Sequence, residues 1–221
     1  MKTQLFLIIF IIITILELFF GSFEEYIYLH YFTKPAIVVS LLVFFVSNSK
    51  HLPTFIKRFT ILALFFSLLG DVLLMFVANA ETFFIAGLVS FLIAHIMYIL
   101  VFLRNRNTKM NSTPFILLLL LYATGLFWLI KDGLGDLLIP VLVYMSVILT
   151  MATTAFSQKG MIIHAGYVYV FVGAILFMLS DSLLAINKFH NELPLSNVSI
   201  MATYALAQIL IVLGILKSYK K

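Results

Sequence analysis

Long apolar runs separated by short polar stretches dominate the chain, at about 4–20, 34–48, 57–78, 82–103, 113–130, 136–157, 164–186 and 198–216. Runs of this length, apolar on all sides, predict transmembrane helices, because lipid offers backbone N–H and C=O groups no partner and each segment must satisfy its own. About 20 residues cross roughly 30 Å of hydrocarbon. Eight such spans use most of the 221 residues and leave room only for short loops. The second run is the shortest, which leaves room for an earlier start. Lys2 followed by an apolar run looks like the beginning of a secretory signal. However, the run is long, contains Glu17 and ends in Leu18-Phe19-Phe20-Gly21 without a small-x-small cleavage pattern, so it is read as a retained helix.

Composition supports an all-α integral membrane protein: 63% of residues are hydrophobic and 10% charged, where soluble domains carry roughly 25% charged residues. One transmembrane domain, 1–221, is expected, with no soluble domain beside it. Charge sets the orientation. Lys2, Lys50, Lys57, Arg58, Arg104, Arg106, Lys109, Lys159, Lys217, Lys220 and Lys221 fall on one side of the alternating spans, and Lys34, Lys131 and Lys188 on the other. The positive-inside rule then places both termini in the cytoplasm, which an odd number of spans would not allow. The net charge of +5 is accounted for by these loops, so no nucleic-acid partner is expected. The absence of cysteine excludes disulfides, thiol nucleophiles and thiolate metal sites.

The two halves resemble each other. Gly70-Asp71-Val72-Leu73-Leu74 in the third span recurs as Ser180-Asp181-Ser182-Leu183-Leu184 in the seventh. Phe91 to His95 in the fourth lines up with Tyr204 to Gln208 in the eighth, and Pro35 with Pro140. Four spans per unit make two parallel repeats, about 1–110 and 111–221, related by a pseudo-twofold axis along the membrane normal, with a site expected between them.

Ionisable side chains within a bilayer are costly and usually face a cavity or a partner. Asp71 and Asp181 are the leading candidates, as a catalytic pair, a structural polar clamp or an ion relay. Both fall in the outer parts of their spans. Asp71 is expected about seven residues from its span's end, roughly 10 Å at 1.5 Å per residue, with Asp181 slightly shallower. Burial and a neighbouring carboxylate favour a neutral acid, whereas a nearby ammonium such as Lys34 favours a carboxylate, and this combination separates an acid from a base. Glu17, at the end of its run, reads first as a residue snorkelling to the interface. On the fourth span Gly87, Phe91, His95 and Tyr98 share one face, with His95 expected deeper, at the floor of a cavity. Tyr144, Ser180, Tyr204 and Gln208 complete the candidate set.

Familiar catalytic patterns are missing: there is no G-x-S-x-G elbow, H-E-x-x-H, Walker A or G-x-G-x-x-G sequence. The histidines are scattered, His51 and His164 on the inner side, His30 and His190 on the outer, His95 between. A three-histidine zinc site is therefore disfavoured, and with it the zinc-dependent alkaline ceramidases. No cofactor and no metal are expected.

Taken in order, Lys34-Pro35, Phe66 to Leu74, Phe84 to Tyr98, Pro140 to Tyr144, Gly173 to Ala185 and Tyr204 to Gln208 resemble the YhhN-like lysoplasmalogenase family of membrane proteins. That resemblance implies cleavage of the vinyl ether bond of a lysoplasmalogen to a fatty aldehyde and a glycerophospho-base, with a lysolipid substrate and membrane lipids as partners. Two carboxyl groups suit such a reaction, which protonates a carbon, passes through an oxocarbenium ion and adds water. The expected roles are one neutral aspartate donating the proton and one ionised aspartate stabilising the cation and orienting water, with a lean towards Asp71 as the ionised member. The rival readings are a proton-coupled transporter using the same aspartates as a relay and a lipid-binding protein without turnover. Short loops rich in Lys, Asn and Ile suggest a bacterial inner membrane, with the site towards the outer leaflet.

Overall fold

The structure, a computed structural model, describes residues 3–219; Lys2, Lys220 and Lys221, which contribute to the expected orientation, lie outside the described residues. Among the described residues every apolar run forms an α-helix: α1 (Thr3–Phe20), α2 (Ile27–Asn48), α3 (Thr54–Leu74), α4 (Glu81–Leu103), α5 (Thr113–Ile130), α6 (Leu138–Phe156), α7 (His164–Phe189) and α8 (Ser196–Ser218). Short 3-10 turns, Glu24–Tyr26 before α2 and Lys131–Gly133 and Gly135–Leu137 between α5 and α6, tighten the connections. Seven of the helices are long and apolar enough to cross a membrane. The remaining one, α3, carries Lys57, Arg58 and Asp71. The chain is a multi-pass integral membrane protein.

Two boundaries differ from the sequence expectation in ways that matter for the site. Helix α2 begins at Ile27, so Lys34 and Pro35 lie inside it. Proline lacks the N–H that would continue the ladder, and a membrane helix tolerates this where neighbouring groups compensate. Helix α3 stops at Leu74, where tighter turns take over: Met75, Phe76 and Asn79 donate their N–H groups to residues three earlier. Asp71 therefore lies in the last turn of α3, while Asp181 lies about two turns inside the end of α7. The expected order of depths, Asp71 deeper than Asp181, is reversed relative to the helix ends.

The most extensive packing joins α7 to α8, then α3 to α4; α4 also packs on α6, and α2 on α1, α3 and α8. Small residues allow the closest approaches, as elsewhere between membrane helices. A Cβ at Gly214 of α8 would lie 2.7 Å from the backbone N of Val170 in α7, and one at Gly70 of α3 would lie 2.6 Å from the Phe91 ring of α4. The opposite extreme is α5. It is the least enclosed of the seven candidate spans, burying only Leu119 and Ile130.

Candidate functional site

A cavity of about 640 Å³ opens where the last turns of α3 and α7 meet the first turns of α8. Asp71 and Asp181 both line it, with Lys34 of α2, Phe91 of α4, and Ser180 and Tyr204 beside them. The two helices that carry the aspartates each pack on a partner, α4 and α8, and those partners bring the polar stripe inward.

Asp71 is 2% exposed. Its Oδ2 accepts a hydrogen bond from the Tyr204 hydroxyl at 2.8 Å. The Tyr204 oxygen in turn accepts from Gln208 Nε2 at 3.2 Å, and Gln208 Oε1 accepts from the Tyr98 hydroxyl at 2.8 Å. The donors of this buried chain all point towards the carboxyl group. Gln208 follows Tyr204 by one helical turn, which is why the pair shares a face of α8.

Asp181 has different neighbours. Its Oδ2 accepts from the Tyr144 hydroxyl of α6 at 2.5 Å, and His95 Nε2 stands 3.6 Å from the same oxygen, too far for a direct hydrogen bond. His95 is fully buried, with Phe177 edge-on at 4.6 Å and Tyr144 at 5.4 Å between ring centroids. Neither of its ring nitrogens has a hydrogen-bond partner. It lies behind Asp181, outside the cavity lining, rather than at the floor expected from sequence. Ser180 donates to the Ile200 carbonyl at 2.9 Å and ties α7 to α8. Phe91 and Tyr204, both lining the cavity, meet edge-on with centroids 5.8 Å apart.

Lys34 lines the cavity beside Asp71 without forming a close ion pair; among the described residues Lys131–Asp132 is an ion pair, and His30–Glu17 and His95–Asp181 are close contacts that carry opposite charges only where the histidine is protonated. The outer rim holds polar residues that sequence reasoning passed over, Asn187, Lys188, Glu192 and Asn197. From sequence, Lys188 reads only as topology-setting charge. The available signal was its position two turns beyond Asp181 on the same helix.

Glu17 corrects another expectation. It does not snorkel: it is fully buried, accepts from Thr33 Oγ1 at 2.6 Å and lies 3.0 Å from His30 Nδ1. The early start of α2 explains this, since Ile27–Lys34 brings His30 and Thr33 alongside α1 as helix.

A second, narrow cleft of about 50 Å³ runs between α4, α5, α6 and α7 and is almost wholly apolar. It shares Phe84, Asp181 and Leu184 with the polar cavity. Asp181 thus stands at the junction of a polar space and an apolar one, whereas Asp71 borders only the polar space. Among the described residues no group of three His, Asp or Glu side chains could hold a metal ion.

Residues 29–215 match the YhhN family. Lysoplasmalogenase TMEM86B of Homo sapiens is 34% identical over 158 residues, which are 71% of this chain and 62% of that protein. Lysoplasmalogenase TMEM86B of Sus scrofa is 32% identical over 142 residues, 62% of this chain and 56% of that protein. Lysoplasmalogenase TMEM86A of Bos taurus is 30% identical over 164 residues, 70% of this chain and 64% of that protein. The chain thus spans between 56% and 64% of the length of these relatives. No solved structure matches it. With α3 to α7 and both aspartates wholly inside the matched segment, the chain belongs to the YhhN family.

Proposed function

We propose that this protein is a hydrolase that cleaves the vinyl ether bond of a lysoplasmalogen, with Asp71 and Asp181 as its acid-base pair. The observation that carries this reading is one cavity bordered by two carboxyl groups with different surroundings. Relatives named lysoplasmalogenase supply the substrate class.

The surroundings also suggest which group does what. In a vinyl ether the ether oxygen bears the α-carbon, and the β-carbon leads into the aliphatic chain. Asp181, at the border with the apolar cleft, is the better placed to reach the β-carbon; Asp71, in the polar cavity near Lys34, is the better placed to hold water at the α-carbon. Asp181 in its neutral form transfers its proton to the β-carbon as the C=C π electrons form the new C–H bond. An oxocarbenium ion results, facing the Asp71 carboxylate. Water adds to the α-carbon and gives a proton to Asp71. The hemiacetal then loses its hydroxyl proton to Asp181, its bond to the glycerol oxygen breaks, and that oxygen takes the proton from Asp71. Both aspartates return to their starting states, and the products are a fatty aldehyde and a glycerophospho-base. Positioned acids and bases of this kind contribute about 10²–10⁴-fold each.

Tyr204, Gln208 and Tyr98 act here as positioning residues for Asp71, and Tyr144 and His95 for Asp181; Ser180 holds α7 against α8, and Lys34 supplies positive charge at the rim. Eight spans with cytoplasmic termini fit this reading. The Lys57 and Arg58 of α3 then sit at the inner surface, and its remaining charge, Asp71, is sheltered in the bundle. The cavity then faces the outer leaflet of a bacterial inner membrane. Two parallel repeats are supported by matching contacts: α3 on α4 answers α7 on α8, and α2 on α8 answers α6 on α4.

The test is release of aldehyde by purified protein from a lysolipid with a vinyl ether, set against its saturated alkyl ether analogue. We expect the first to be cleaved and the second to remain intact. Proton flux driven by substrate without bond cleavage would instead make the protein a transporter.

A further inference from the structure

Outside the polar cavity, the bundle has one weakly held wall. Helix α5 is anchored at its inner end, where Phe115 stacks on Phe156 with centroids 4.3 Å apart, and at its outer end by buried Ile130. Between these anchors Leu119 is its one buried side chain, and a single polar contact joins it to its neighbours. Tyr122 donates to Ser182 Oγ of α7 at 2.7 Å, and among the described residues no other hydrogen bond joins a side chain of α5 to another helix.

That contact stands between two apolar spaces. On its inner side is the narrow cleft that ends on Asp181 and includes Ser182. On its outer side is an open groove between α5 and α7, which includes Tyr122, Gly125 and Ile186. Leu126 lines both. Gly125 leaves the groove open, since a Cβ there would meet nothing within 4 Å. The inner cleft is too tight for an alkyl chain in its present state, and its α5 wall is the one with least packing to lose.

We propose that the cleft and groove together form the site for the aliphatic chain of a single-chain ether lipid. The chain enters sideways from the bilayer between α5 and α7, and the Tyr122–Ser182 contact is the latch that opens to admit it. The occupant follows from continuity: the apolar path runs from the lipid face to Asp181, and the polar cavity with Lys34 and Lys188 begins at that same residue, so a molecule with one polar end and one aliphatic chain spans both. The proposal rests on the functional reading above for its ligand class, but its test does not require turnover.

The test measures binding of saturated alkyl ether lysolipids, which have no vinyl ether to cleave, to the full protein in nanodiscs, corrected for uptake by empty nanodiscs. Long- and short-chain ligands are compared for the wild type, Gly125→Phe and Leu120→Phe. Gly125→Phe fills the groove; Leu120 points away from it on the same helix and is already exposed to lipid. We expect Gly125→Phe to lose about tenfold of the preference for the long chain, the equivalent of roughly two buried methylenes, and Leu120→Phe to retain it. Thermal melting of each variant verifies that the bundle is intact. Equal long-chain preference in the wild type and Gly125→Phe, or an equal loss in both variants, would overturn the proposal. If long-chain preference depends on Gly125 while no aldehyde is ever released, the chain site stands and only the hydrolase reading falls.

Discussion

Asp71 on α3 and Asp181 on α7 border the same cavity and are surrounded differently. Asp71 on α3 is held by Tyr204, backed by Gln208 and Tyr98, in a continuous line of hydrogen bonds from α8 and α4. Asp181 on α7 is held by Tyr144 of α6, with an unbonded His95 behind it. In the proposed repeat the position that mirrors Tyr204 is Phe91, which has no hydroxyl and instead packs over Gly70. Two like carboxyl groups at one cavity are thus distinguished by the residues that reach them. In a medium where unsatisfied polar groups are expensive, such neighbours decide whether a carboxyl group accepts hydrogen bonds or gives a proton.

The largest expected effect comes from removing either acid. Asp71→Asn and Asp181→Asn keep size and polarity, and each is expected to lower kcat for aldehyde release by about a thousandfold, the middle of the range for a lost general acid or base. Next come the tyrosines. Tyr144→Phe and Tyr204→Phe each free one carboxyl group from the hydroxyl that orients it, and each is expected to lower kcat roughly ten- to a hundredfold, the scale of misplacing a catalytic group. The comparison sharpens if Gln208→Leu slows turnover in the same direction as Tyr204→Phe, since it acts on Asp71 only through that tyrosine.

His95 separates stability from activity. Two buried ring nitrogens without partners cost about 1–3 kcal/mol, so His95→Leu is expected to raise the melting temperature while lowering turnover. A loss of both would assign it to packing alone. The smallest effect is expected from Lys34→Gln, at the cavity rim: about two- to fivefold in kcat/KM, as suits a charge that makes no close ion pair. Lys34→Arg should restore it.

Helix number and type were legible because a membrane span leaves an uninterrupted apolar run, and α4, α5 and α8 lie within a few residues of the runs that predict them. That both aspartates would lie at a cavity was legible for the converse reason: a carboxyl group within such a run is conspicuous. Ends were not. The start of α2 is hidden because Glu24 to Tyr31 mixes charged and aromatic residues, which leaves His30 and Thr33 outside the apolar run. Their pairing with Glu17 depends on two helices lying side by side, which no spacing within one helix reveals. The Tyr144 bond to Asp181 and the Tyr122 bond to Ser182 are contacts between helices of the same kind. Sequence nominated Tyr144 by its place in the span and left Tyr122 unnoticed. The weak hold on α5 was also invisible, since its sequence is as apolar as that of its well-packed neighbours.

The most direct measurement is a comparison of Asp71→Asn, Asp181→Asn and the double variant, each purified and verified as folded by thermal melting, for aldehyde release from a vinyl ether lysolipid. Groups that work as one unit are not additive. We expect the double variant to be about as slow as either single one, all of them some thousandfold below the wild type. Full activity in either single variant, or losses that multiply in the double, would contradict a paired role for the two aspartates.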